Sequence, residues 1–376
     1  MAQSRIFNRI ITKEVKKPFT TKQKEAFMQL LRQGLWEKQE ENNNIFPLSA
    51  DEWQTLYEMS IVQTVHGIIY DGIRYLSPEH RPPRQLLLRW VAQIDIMERR
   101  NKQQISTQEI INQIFTTQPA IKYQILKGQG IAAHYPNPLH RHCGDIDLYF
   151  CGDEETEKAN RRIESLGIMV TRGKDGESSY ILNNVEIEHH SHLLDLNNPL
   201  VKKEQKQWER ERFATIDIIP TPIANHLLIS THILKHWIDL GIGLRQLCDA
   251  AIMLKALHEQ TDKEELLHTL GKFNILSWSK LLYSLLNKHI GLPKEYLPFR
   301  CNANPDAMME EIWESGNFGH GDTRYGKRPE GKWKSKMHTL KIVSNKLHIS
   351  LRYATSETLW WLALLAYARA KEICRH

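Results

Sequence analysis

The segment that decides the fold is residues 121–150, IKYQILKGQGIAAHYPNPLHRHCGDIDLYF. It holds a short apolar run, a turn carrying Gly128 and Gly130, a helical turn over IAAHY, and a second strand bearing Asp145 and Asp147. In an extended chain alternate side chains share a face, so Asp145 and Asp147 project to one side and Ile146 and Leu148 to the other. Two carboxylates on one face are a candidate cation site. Oxygen ligation suits Mg²⁺, which often keeps waters and substrate phosphates in its shell, and the chemistry such a pair serves is phosphoryl transfer.

Downstream, DEETEKANRRIESLG has the acidic start and glycine end of a helix. Short apolar runs at 168–171, 179–182 and 185–189 predict three strands, the last two joined by Asn183-Asn184, a pair that tolerates the positive φ of a tight hairpin. Residues 119–195 therefore form a small α+β unit. Holding two divalent ions about 4 Å apart requires a third acid on a neighbouring strand. In VEIEHH, Glu186 and Glu188 face the same way, and Glu188 is the favoured candidate. Backbone N–H groups at the Gly128 turn suit a triphosphate, with Lys127 and Arg141 as nearby cations.

Leu126-Lys127-Gly128, Tyr135-Pro136, Arg141 four positions before the first aspartate, and Gly144 to Leu148 together resemble the signature of the uncharacterised nucleotidyltransferase family, within the DNA polymerase β-type nucleotidyltransferase superfamily. Glu188 followed by His190 matches the family's later acidic residue and histidine. THILKHWIDLGIGLRQLCDAA resembles a further helical pattern, with His232, His236, Arg245 and Asp249 at family-like positions. The resemblance covers residues 115–255.

It implies an α+β fold, a small mixed-sheet nucleotidyltransferase core flanked by N-terminal and C-terminal helical regions. It also implies transfer of NMP from an NTP donor to a small-molecule, protein or RNA acceptor, with release of pyrophosphate and with Mg²⁺ or Mn²⁺ as cofactor. Asp145, Asp147 and Glu188 would be the catalytic and metal-holding residues. Lys127, Gly128, Gln129 and Arg141 would bind nucleotide phosphates, and His190, His232, His236, Arg245 and Asp249 would line the substrate cleft. Two departures stand out. The superfamily usually has Gly-Ser or Gly-Gly where this chain has Gly128-Gln129, and aspartate where it has Glu188. The first supports an alternative, a catalytically inactive nucleotide-binding or scaffold module of the same fold.

The flanks are helical by periodicity. Ser49 and Glu52 have capping-box spacing at the start of a helix expected to end near Leu76, and Pro82-Pro83 precede one running to Phe115. The expected organisation is an N-terminal helical region (1–115), the α+β core (116–200), a helical cap (201–300), and a loop-rich segment with C-terminal helices (301–376). His232 and His236 stand one helical turn apart, the spacing of paired zinc ligands, but Ile233 stands where HExxH needs its glutamate, so they read as part of a polar stripe with Lys235, Arg245 and Asp249. Among the three histidines 189, 190 and 192, satisfied core or supporting roles are expected.

A composition of 41% hydrophobic and 25% charged residues is that of an ordinary globular protein, and a net charge of +6 suits an anionic partner without requiring nucleic acid. The basic run in 324–346, with Tyr325 and Trp333 interleaved, reads as a solvated face and alternatively as an RNA contact. Five scattered cysteines without CxxC fit reduced thiols, and the N-terminus lacks a signal-peptide core, which points to the cytoplasm. The apolar run LWWLALLAYA (359–368) is half of the roughly 20 residues a spanning helix needs, so a buried terminal helix is expected.

Overall fold

The computed structural model describes residues 19–40, 45–173, 176–213, 218–239, 241–319, 322, 324 and 332–373. Its N-terminal helices are α1 (Thr21–Trp36), α2 (Ala50–Val62), α3 (His66–Ile73) and α4 (Arg84–Thr116). Thr20 with Gln23, and Ser49 with Glu52, form reciprocal capping boxes that satisfy the first N–H groups of α1 and α2. The helix expected to reach Leu76 divides instead between α2 and α3. Thr64 adopts φ +55°, and the buried Gln63 amide donates to the Ile312 carbonyl (3.2 Å) while its oxygen accepts from Leu244 N (2.9 Å). Long-range hydrogen bonding of one buried side chain thus accompanies the break. Helices α1 and α3 cross at Gly34 and Gly72, where a Cβ would fall 1.9 Å from Ile68 O and 2.0 Å from Leu30 O.

Helix α4 is unbroken over 33 residues. Its buried stripe begins with Leu86, Trp90, Ile94 and Met97 and ends with Ile111 and Phe115, but turns polar in between at Asn101, Gln104 and Thr107. Those residues hold a loop. Asn101 donates to Leu139 O (2.7 Å) and Arg141 O (2.8 Å), and Gln104 donates to Gly144 O (2.7 Å).

That loop lies inside the α+β unit: β1 (Gln124–Leu126), α5 (Gly128–Ala132), β2 (Ile146–Tyr149), α6 (Asp153–Ser165), β3 (Thr171–Arg172), β4 (Ser178–Leu182) and β5 (Val185–His190). The strand order is β1-β2-β5-β4-β3. Strands β2 and β5 are parallel, and the other neighbours are antiparallel. The class is the expected α+β one. Asn183 (φ +49°) and Asn184 (φ +59°) make the β4–β5 turn. The strand expected at 168–171 shrinks to Thr171–Arg172, because Ile168 and Val170 pack into the core beneath the sheet instead. Ile146, Leu148, Phe150, Val185 and Ile187 form that core with Ile111 and Phe115 of α4 and Ala159 and Ile163 of α6.

The remaining helices are α7 (Lys202–Phe213), α8 (Pro222–Ile238), α9 (Leu244–Leu257), α10 (Lys263–Lys272), α11 (Leu276–Leu285), α12 (Asp306–Ser315), α13 (Lys332–Tyr353) and α14 (Thr355–Ile373). Their buried residues merge with those of α1 to α4 in one apolar cluster; Phe27 of α1, for example, meets the ring of Trp313 edge-on at 5.3 Å. The terminal helix differs from expectation. Leu359, Leu364 and Tyr367 are 54%, 48% and 67% exposed, and Trp361 is only partly buried against the core. Among the described residues no helix is long and apolar enough to cross a membrane. The basic run also departs from a solvated face at its two ends. Arg324 pairs with Glu311 and Asp322, and Lys346 is buried, donating to Asp239 O (3.1 Å) with its ammonium over the Trp237 ring. Residues 325–331 lie outside the described residues.

Candidate active site

The face of the sheet opposite its apolar core opens on a cavity of about 650 Å³, closed on the far side by residues of α8 and α9. The parallel register sets Asp147 of β2 directly beside Glu188 of β5, and paired residues of neighbouring strands point to the same face. Asp145, just before β2, lines the same cavity. His190 lies one step of alternation beyond Glu188, with Nε2 2.8 Å from Asp147 Oδ1 and 3.7 Å from Glu188 Oε2. One ligating atom each from Asp147, Glu188 and His190 falls within 4.8 Å of the others. Asp145 is outside that tight group. Glu186 shares the strand face with Glu188 but is exposed and does not line the cavity.

Burial alone would raise the Asp147 carboxyl, but the Lys127 charge and the His190 hydrogen bond outweigh it and hold it far below the usual carboxylate range. Glu188 goes the other way. Burial, then the charges of Asp145 and Asp147, push it up to about 7. For His190 burial opposes the proton, yet the hydrogen bond and charge of Asp147 raise the imidazole above its ordinary value. The carboxylate cluster is therefore short of positive charge, and a divalent cation fits its donor set. Carboxylate oxygens suit Mg²⁺ or Mn²⁺, and an imidazole bonded to one of them orients it.

Lys127 occupies φ +47°, ψ −134°, an unusual conformation for a residue with a side chain. It sends Nζ to 3.7 Å from Asp147 Oδ1 and 3.2 Å from His232 Nδ1. His232 also lies 3.3 Å from Asp195, which pairs with Lys235 at 2.8 Å. Burial followed by the Lys127 charge keeps His232 below its ordinary pKa, and burial with neighbouring His232 lowers His236 to about 3. Their rings meet edge-on at 4.4 Å. Gly128 lines the cavity beside Lys127, whereas the Gln129 side chain donates to Gln104 Oε1 (2.9 Å) and is not part of the wall.

Across the cavity, Arg141 is buried and bidentate on Asp249, with Nε to Oδ1 at 3.0 Å and Nη2 to Oδ2 at 2.7 Å. Its partner is neither Asp145 nor Asp147, the two carboxylates nearest in sequence. Tyr135 donates to the same Asp249 oxygen at 2.7 Å. Burial, then the neighbouring Arg141 charge, lower the guanidinium of Arg245 from its ordinary value.

The sequence-derived candidates other than Gln129 and Glu186 thus line one cavity. Glu177, Asp195, Arg100, Thr64 and Asn317 line it too and were not foreseen. Asp195 follows β5 in an irregular stretch with no periodicity to flag it. Thr64 sits at a helix break that local sequence does not encode. The polar residues interrupting the α4 stripe were the readable sign that this helix supports a site.

Comparison with curated proteins and with solved structures returned no match. A family model described as uncharacterised nucleotidyltransferase matches residues 49–290, a span that takes in the whole sheet and every cavity-lining residue except Asn317, and the chain belongs to that family.

Proposed function

We propose that the chain is an Mg²⁺- or Mn²⁺-dependent nucleotidyltransferase that moves NMP from an NTP to an acceptor and releases pyrophosphate. The observation that carries this reading is the parallel register of Asp147 and Glu188 with Asp145 alongside. Asp145, Asp147 and Glu188 would hold the metal, with His190 orienting Asp147. A divalent ion held there would supply positive charge to the cluster and electrostatic stabilisation to the charge that develops in transfer. An acceptor oxygen forms a bond to the α-phosphorus as the bond from that phosphorus to the α,β-bridging oxygen breaks. Glu188, on the same wall, is assigned to take the proton an acceptor hydroxyl loses. Lys127 and Gly128 adjoin the carboxylates and are assigned to the donor's phosphates, while Arg141, locked on Asp249, shapes the wall. His232, His236, Arg245 and Asp249 are assigned to the substrate cleft. The acceptor is a small molecule, a protein side chain or RNA, and product analysis distinguishes them.

The test is the double variant Asp145→Asn/Asp147→Asn, incubated with labelled NTPs, Mg²⁺ and cell extract. Transfer and pyrophosphate release should vanish while circular dichroism is unchanged; retained turnover overturns the assignment. One observation favours the inactive module, since the Gln129 side chain turns to Gln104 and away from the cavity. NTP binding by the wild type without pyrophosphate release from any acceptor would establish that reading instead.

A further inference from the structure

The cavity is chemically divided. Carboxylates collect on the sheet side, and the opposite side carries Arg100 from α4, Arg141 and His142 from the loop before β2, and Arg245 from α9. Arg141 has its counter-ion in Asp249, which accepts the bidentate pair and the Tyr135 hydroxyl and makes no hydrogen bond to Arg245. Arg245 is different. Its Nη1 donates to the His142 carbonyl at a long 3.3 Å, and its Nε is buried with no hydrogen-bond partner among the described residues. Neither Arg245 nor Arg100 has a carboxylate within ion-pair distance among the described residues, yet both line the cavity.

Holding a guanidinium beside Arg141 with a buried N–H unmet costs free energy, which an anion entering the cavity would offset. A guanidinium presents its N–H donors in a planar fork that matches two oxygens of a phosphate. We propose that the arginine side of the cavity is an oxyanion subsite that takes a phosphate separate from the reacting one. The proposal rests on the nucleotidyl-transfer reading only for where that phosphate comes from. The source is either the terminal phosphates of the NTP donor or a phosphate carried by the acceptor. Arg245 and Arg100 make the contact, and Asp249 fixes Arg141 so that it flanks the subsite without collapsing onto Asp145.

The test titrates inorganic phosphate and tripolyphosphate calorimetrically into the full chain, at low salt and with EDTA so that no metal contributes. The wild type binds tripolyphosphate, and Arg245→Gln weakens that binding about tenfold or more, the size of one lost charge-assisted hydrogen bond. Arg100→Gln, a change on exposed helix surface that does not threaten the fold, weakens it in the same direction. Asp145→Asn/Asp147→Asn does not weaken it, since it only removes negative charge from the facing wall, so a failed transfer assay and a failed subsite give different results. Absence of tripolyphosphate binding by the wild type, or an unchanged affinity in both arginine variants, overturns the proposal. Titrating the four common NTPs with Mg²⁺, and the matching NMPs, assigns the source. If Arg245→Gln weakens an NTP but not its NMP, the phosphate is the donor's. If NTP affinity holds while inorganic phosphate affinity falls, it belongs to the acceptor.

Discussion

The two faces of β2 and β5 are built from adjacent residues and behave as opposites. On one face Ile146, Leu148, Ile187 and His189 are buried and both His189 nitrogens have partners, Asn160 Oδ1 (2.8 Å) and Tyr180 Oη (3.2 Å). On the other, Asp145, Asp147 and Glu188 crowd together, and burial followed by the two aspartate charges pushes Glu188 up to about 7. A sheet tolerates such a face because its strands are already fixed by the apolar side and by backbone pairing. Stability and chemistry are therefore separable here, residue by residue, and substitutions on the two sides should fail in different ways.

The largest contrast is in activity. Asp145→Asn/Asp147→Asn should lower pyrophosphate release by roughly 10³-fold or more, since electrostatic stabilisation dominates this chemistry, with the fold retained and only the Lys127 and His190 contacts of Asp147 given up. Leu148→Ala, one residue beyond Asp147 on the other face and fully buried, should cost about 2–5 kcal/mol in urea unfolding. Its surviving folded fraction should turn over normally. A stable Leu148→Ala protein, or an unfolded aspartate variant, would break the separation.

Neighbouring histidines sharpen it further. His189→Ala leaves Asn160 and Tyr180 without their imidazole and should cost about 1–3 kcal/mol of stability, with Mn²⁺ affinity unchanged. His190→Ala frees Asp147 from its 2.8 Å partner and should weaken Mn²⁺ roughly 10- to 100-fold, as loss of a ligand's supporting hydrogen bond does, with little change in unfolding free energy. Calorimetric titration of Mn²⁺ beside urea melts of both variants reads the two quantities independently, and a reversed pattern would exchange the roles of the two faces.

Much of this face was legible because it is local. Alternation across Asp145–Asp147 and the Asn183-Asn184 turn concern short spacings, whereas Glu186 and Glu188 share a strand face and only the cavity wall separates them. What the chain hides is non-local. The parallel pairing of β2 with β5 brings together strands some forty residues apart, with α6, β3 and β4 between them. Arg141 finds Asp249 on a distant helix, although Asp145 and Asp147 are much nearer in sequence. The break after Val62, in a helix whose periodicity is sound, is accompanied by bonds from the Gln63 side chain to Ile312 and Leu244, both distant in sequence. The exposed α14 shows the converse limit, since apolar composition marks a helix for burial but cannot supply a surface to receive it.

The smallest effect tests the charge shortage itself. Glu188 has its folded pKa near 7, above its ordinary 4.5, so between those values the native state holds more protons than the unfolded chain. Stability therefore falls as pH rises through that window, and above 7 the whole penalty of an ionised Glu188 is present. Its side chain is 34% exposed, and solvent screening keeps the effect modest. Glu188→Gln removes the charge while keeping the shape, so its Tm should exceed that of the wild type by about 1–3 °C at pH 8, with the gap closing toward pH 5. Saturating Mn²⁺ should raise the wild-type Tm more than that of the variant, because the ion relieves in one protein what the substitution has already relieved in the other. Equal melting at pH 8 and pH 5 in both proteins would mean that the three carboxylates are not short of a cation, and the case for metal at this face would fall with it.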